Sequence, residues 1–144
     1  MSTRTLGALA TRHGVDLLDH LDQQLQIPVL SGIQFQGDVA VVPCPTLGDL
    51  IPGLPAGEPV PAAGVAVVRG ENGGHTHLLV ADGPVSWAAG RGSGGNLTLG
   101  TVTVPGGAIA YLLHPEHGGN ALAPGSYELR RQREQREEIA LVAD

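Results

Sequence analysis

Glycine and proline interrupt this chain so often that only its amino-terminal part leaves room for a helix of any length. The 22 glycines and 11 prolines among 144 residues cut the apolar segments into short runs, a pattern of strands joined by turns rather than of a helical bundle. Apolar residues make up 42% of the chain, enough for a packed core and too many for wholesale disorder. That core must be largely aliphatic, because the aromatic residues are Phe35, Trp87, Tyr111 and Tyr127 alone. The length fits one domain that buries roughly two thirds of its unfolded surface.

Residues 5–25 carry a helical period. Leu6, Leu9, Ala10, His13, Leu17, Leu18, Leu21 and Leu25 recur at steps of three and four, Gly14 weakens the middle and leaves room for two shorter helices instead of one, and Pro28 ends the pattern. We therefore expect residues 1–26 to be an N-terminal helical extension, packed against its own domain or serving as a contact helix for a protein partner or a second copy in a homo-oligomer. From Val29 the pattern becomes that of strands. Val29–Phe35 and Asp38–Val42 flank a turn at Gln36-Gly37. Further strands are predicted at Val65–Arg69, His75–Ala81, Val85–Ala88, Leu97–Val104, Ala108–Leu113 and Tyr127–Arg133. Six of the eleven prolines fall between Pro43 and Pro61, which predicts a long irregular loop. The tail from Glu134 to Asp144 has room for a helical turn. Residues 27–144 thus read as a single all-β domain, a small cupin-like or jelly-roll barrel or double sheet of about eight strands.

Two histidine pairs carry the chemistry. His75 and His77, two apart on a strand, project to one face and can converge on one ion. His114 and His117 sit where a later strand enters a turn. Imidazole is the commonest metal ligand, so the expected site is a divalent ion, Zn, Fe, Ni or Cu, held by His75, His77, His114 and His117. Glu116 and Asp82 are the candidate catalytic carboxylates, as ligands, imidazole orienters or general bases on bound water. Glu71 is a weaker third. The plainer alternative is that these histidines satisfy turn backbones and a strand interior. His13 and His20 fall in the predicted helix, apart from the cluster.

Gly74-His75-Thr76-His77, His114-Pro115-Glu116-His117, Pro124-Gly125-Ser126-Tyr127 and Arg131-Gln132-Arg133-Glu134, in that order, resemble a family of small uncharacterised bacterial and phage proteins. Its opening Gln-Gly-Asp-Val element is matched by Gln36–Val39 and its Val-Ala-Asp close by Val142–Asp144. The resemblance implies a shared fold and a shared histidine site, and carries no activity with it. Gln135 stands where an aromatic often follows Arg-Glu in that family. More broadly, His75-x-His77 with Asp82 following, and Pro105-Gly106-Gly107 with His117 and Asn120 beyond it, are similar to the two cupin motifs. The glycine spacing of the first and the longer interval of the second depart from that pattern.

The net charge of −6, with no lysine, creates no field to attract phosphate backbones or anionic lipid. No apolar run approaches the ~18 residues of a membrane span. One cysteine, Cys44, excludes an internal disulfide, and with no leader-like start at the amino terminus the expected location is the cytoplasm. Gly90–Asn96 resembles a phosphate loop only in composition, since it lacks the Gly-Lys-Ser/Thr ending. Arg130, Arg131, Arg133 and Arg136 alternate with glutamates, as on a solvated face. Three functions follow: a metal-binding domain, possible as an enzyme on a small-molecule substrate; a non-enzymatic interaction protein using its helix or its Arg-rich strand; and, less favoured, an RNA-associated factor.

Overall fold

The computed structural model describes residues 5–44, 57–69, 75–90 and 98–131. Among these residues the fold is all-β, two packed sheets with one short helix. The helix, α1, spans Leu6–His13. The strands are β1 Val29–Leu30, β2 Gln34–Gln36, β3 Val39–Pro43, β4 Glu58–Pro59, β5 Val65–Val68 and β6 His77–Asp82. They continue with β7 Ser86–Ala89, β8 Thr98–Val104, β9 Ile109–His114, β10 Gly118–Leu122 and β11 Gly125–Arg131. One sheet has the order β1-β10-β9-β6-β5, the other β2-β3-β11-β8-β7-β4. Three hairpins are each bracketed by a strand pair of the other sheet: β5–β6 lies within β4–β7, β7–β8 within β6–β9, and β9–β10 within β8–β11.

The predicted helix is cut short at Gly14. This residue adopts a left-handed φ of 70° that favours glycine. There the Val15 N–H reaches the Ala10 carbonyl at 2.8 Å and the Gly14 N–H the Thr11 carbonyl at 3.4 Å, a Schellman ending. At the other end the Thr5 hydroxyl accepts from the Ala8 N–H at 3.2 Å. The Leu6 and Gly7 N–H groups donate to the carbonyls of Leu25 and Gln23. The leucine period beyond Gly14 belongs to an irregular segment, in which Leu17 and Leu21 still pack inward.

β9 is buried along its whole length. Ala110 and Leu112 enter the core between the sheets with Val39, Val41, Leu79, Val102 and Leu129. Ile109, Tyr111 and Leu113 face the other way, under Leu6, Leu9 and Ile27. The five-stranded sheet is therefore covered on both faces, and α1 supplies the second cover. Of the apolar stripe in residues 5–26, Leu6, Leu9 and Ala10 are buried on the domain's own sheet, while Leu18 and Leu25 stay exposed.

There are eleven strands among the described residues where about eight were expected. β10 was missed because Gly118-Gly119-Asn120 reads as a turn. A methyl group on Gly119 would stand 2.8 Å from Ile27 Cδ1, so the strand is glycine-rich because α1 and its flanking segment press on it. Among the described residues β4 is a two-residue edge strand paired only to β7, a position that tolerates Pro59. The remaining proline-rich stretch, most of Gly90–Asn96 and the tail after Arg131 lie outside the described residues. Arg130 Nε stands 3.4 Å from Glu128 Oε1, which also accepts from the Thr98 hydroxyl at 3.1 Å. Cys44 has its thiol pKa raised, chiefly by burial and then by Glu128, which suits an inert residue. No helix among the described residues is long and apolar enough to cross a membrane.

Candidate functional site

The site is built where β2 turns into β3. Gln36 pairs with Val39, leaving Gly37-Asp38 as a two-residue hairpin loop, one position later than the predicted turn. β2 inverts the usual strand pattern: Gln34 and Gln36 are 7% and 2% exposed, while Phe35 between them is 58% exposed. Burying an amide without partners costs on the order of 1–3 kcal/mol, and both glutamines have partners. Gln34 Nε2 donates to the Ala121 carbonyl at 3.0 Å. Gln36 Nε2 lies 2.7 Å from the Leu112 carbonyl and 2.9 Å from Asn120 Oδ1. Asn120 Nδ2 in turn donates to Gln34 Oε1 at 3.2 Å and the Phe35 carbonyl at 3.3 Å.

Against this hairpin stand the four histidines. His114 is the middle ring of a bent column, 4.3 Å from His77 and 4.5 Å from His117 between centroids. His77 and His117 are 6.3 Å apart and nearly parallel. His75 meets His114 edge-on at 5.8 Å. The structure thus brings His75, His77, His114 and His117 together, though His75 precedes β6 and is exposed while His77 is buried.

The four rings do different work. His114 Nδ1 accepts from the backbone N–H groups of Glu116 and His117, both at 3.1 Å, and its ring also bonds to the His75 backbone. His114 Nδ1 is thereby committed to the turn backbone, so that nitrogen caps the turn. His77 is different. Its Nδ1 lies 2.9 Å from Gln36 Oε1, and its Nε2 faces Asp38 Oδ1 at 3.6 Å. Burial, reinforced by the neighbouring His114, lowers the His77 pKa to about 4 despite the Asp38 carboxylate. His114 is lowered as well, by burial first and His117 next. At pH 7 the His77 ring is neutral.

The carboxylates separate. Glu116 is half exposed at the rim, its Oε1 4.0 Å from His117 Nε2. Asp82 closes β6 opposite Ile109, five residues or about 17 Å along the strand from His77. That places it at the other end of the sheet, so Asp82 is not part of this site. Asp38 takes its place, a residue that histidine spacing gave no reason to choose. Its one signal was the Gln-Gly-Asp-Val element of the resemblance. Among the described residues, no group of three or more His, Cys, Asp or Glu side chains stands ready-assembled around a metal position.

The segment after α1 holds the histidine turn from outside. The Leu18 N–H donates to the Pro115 carbonyl at 2.9 Å, and His20 Nε2 donates to the Glu116 carbonyl at 2.9 Å. His20 lies outside the helix and beside the cluster, contrary to its sequence position in the predicted helix. Gly37, at φ 57°, completes the enclosure. A methyl there would stand 2.7 and 2.8 Å from His117 Cδ2 and Nε2, and 3.5 Å from His77 Cε1. Gly37→Ala should therefore lower stability by about 1–2 kcal/mol through its backbone alone and displace His117. Thermal melting and the His117 ring resonances report both effects; if neither changed, the ring is not packed on this turn.

Residues 35–132 match a family model described as Domain of unknown function (DUF8820). The chain belongs to this family. No curated protein and no solved structure matches. The DUF8820 span takes in Gln36, Gly37, Asp38 and all four clustered histidines, and it leaves α1 and the strap from Leu18 to His20 outside. The DUF8820 domain of this chain is thus covered by an element from beyond the family match.

Proposed function

We propose that this end of the double sheet is a divalent-metal site, with His77 Nε2 and Asp38 Oδ1 as two ligands, His117 Nε2 as the third, and an open position for water or a small-molecule substrate. The observation that carries the reading is the 3.6 Å separation of His77 Nε2 and Asp38 Oδ1. Two donors at ~2.1 Å from a tetrahedral ion stand about 3.4 Å apart, so the pair already has nearly the bite that Zn requires. A neutral imidazole beside a carboxylate is also the donor set such an ion takes, with Fe, Ni or Cu as further candidates. His117, whose ring lies 6.3 Å from that of His77 and nearly parallel to it, completes the set, and Glu116 beside it is placed to move a proton. In this reading the kinship with cupins is architectural, a double sheet whose strand histidines hold an ion, and the lone Cys44 fits a reducing cytoplasm.

Tag-free protein stripped with chelator and titrated with Zn²⁺ should take up one ion per chain by calorimetry and elemental analysis. His77→Ala and Asp38→Asn should each weaken uptake by ~100-fold or more, above the range for outer residues. Asp82→Asn should leave it unchanged. No uptake of Zn, Fe, Ni or Cu by the wild type, or full uptake by His77→Ala, overturns the proposal. A second reading has its own observation: Leu30, Ile33 and Phe35 are 45%, 58% and 58% exposed, an apolar edge suited to a protein contact. A chain that binds no ion at all favours that non-enzymatic interaction role.

A further inference from the structure

We infer that Gln36 is a positioning residue that holds His77 as the Nδ1–H tautomer and so turns the Nε2 lone pair toward Asp38. The inference deepens the metal reading and rests on it for its purpose, but its own argument is hydrogen-bond accounting. A backbone carbonyl only accepts. The Gln36 amide atom 2.7 Å from the Leu112 carbonyl must therefore be the –NH₂. The opposite atom, 2.9 Å from His77 Nδ1, is then Oε1, an acceptor. His77 Nδ1 must carry the proton, and in the neutral ring Nε2 is left as a lone pair.

The same logic fixes the amide behind it. Asn120 Nδ2 donates to the Phe35 carbonyl, so Asn120 Oδ1 is the atom that accepts from Gln36 Nε2. Two backbone carbonyls, on β9 and β2, thus set two side-chain amides, and the amides set one imidazole. This explains why β2 buries glutamines and exposes its phenylalanine. Left to itself, the His77 ring would place its proton on Nε2, where the Asp38 carboxylate is the stronger acceptor. Gln36 holds the ring against that preference, so that two acceptors face each other at 3.6 Å. A cation satisfies such a pair.

The test uses the full-length, ¹⁵N-labelled, chelator-treated chain at pH 7. Long-range ¹H–¹⁵N correlations should show a pyrrole-type Nδ1 and a pyridine-type Nε2 for His77, with a cross-peak from Hδ1 to the Gln36 side chain. Gln36→Met, similar in shape and lacking the acceptor, should move the proton to Nε2 and weaken Zn²⁺ uptake about 10–100-fold. A wild-type His77 protonated at Nε2, or lacking the cross-peak to Gln36, overturns the inference whether or not the variant folds. An unchanged tautomer in folded Gln36→Met overturns it too. If the wild type shows Nδ1–H bonded to Gln36 but takes up no Zn²⁺, the tautomer assignment stands and the metal reading fails.

Discussion

A chain beginning at Ile27 should fail to reach the native double sheet. Removal of residues 1–26 takes away Leu6 and Leu9 and uncovers Val80, Ile109, Tyr111, Leu113 and Ala121, all at most 6% exposed in the intact protein. Burial of a single large apolar side chain contributes about 1.5–3 kcal/mol, and whole domains are stable by only about 5–15 kcal/mol. Losing several such contacts exhausts that margin. Circular dichroism and light scattering should show an unfolded or aggregated product. A soluble truncated monomer with native sheet signal, changed only in its self-association, would return α1 to the role of an assembly helix.

The metal-free protein should lose about 3 kcal/mol of stability between pH 6.5 and 4 through His77 alone. Above pH 6.5 the imidazole is neutral in both the folded and the unfolded chain, and its contribution is fully present. As pH falls, the unfolded chain binds the proton near 6.5, whereas the folded chain resists until about 4. Each intervening unit of pH then favours unfolding by ~1.4 kcal/mol. His114, shifted in the same direction, adds to the slope. Urea titrations at successive pH values measure it best between pH 6.5 and 5, above the range where ordinary carboxylates titrate. His77→Gln should flatten the profile there. A wild-type profile already flat in that window would mean that the ring is hydrated enough to charge in the folded state.

Period and punctuation were enough to place the main strands. Alternation marked β5, β7, β8, β9 and β11 to within about two residues, since their apolar positions and the glycines between them follow the pleat. They left the end of α1 open: Gly14 marked a weak point, but the leucine spacing continues past it while the left-handed cap stops the backbone. Nor could they reveal β10, whose glycines answer to neighbours distant in sequence. The histidine pairs were visible as types and spacings, but not their separate roles: His114 differs from His77 only through what the turn and Gln36 do to their nitrogens. Asp38 and His20 were missed for one reason. Each reaches the cluster through tertiary contact, from a hairpin 39 residues before His77 in one case and from an irregular strap in the other. The inverted pattern of Gln34, Phe35 and Gln36 is the local rule-break that sequence does show, and such breaks gather at sites with work to do.

The bracketed hairpins also set how this chain finds its structure. β6 and β9 are separated by a long stretch of chain, and pairing them directly would carry the full entropy of closing that loop. Once β7 and β8 have joined as a local hairpin, however, their outer ends lie close together and most of the loop is already closed. The same relation links β5–β6 to β4–β7 and β9–β10 to β8–β11. Each inner pair forms on the microsecond scale typical of hairpins and lowers the barrier to the pair outside it on the opposite sheet. The effective contact order is therefore smaller than the separation of partners suggests, and the chain should collapse faster than a sandwich of equal size with unbracketed pairings. The paired residues of β7 and β8 then become the place where a substitution slows folding most.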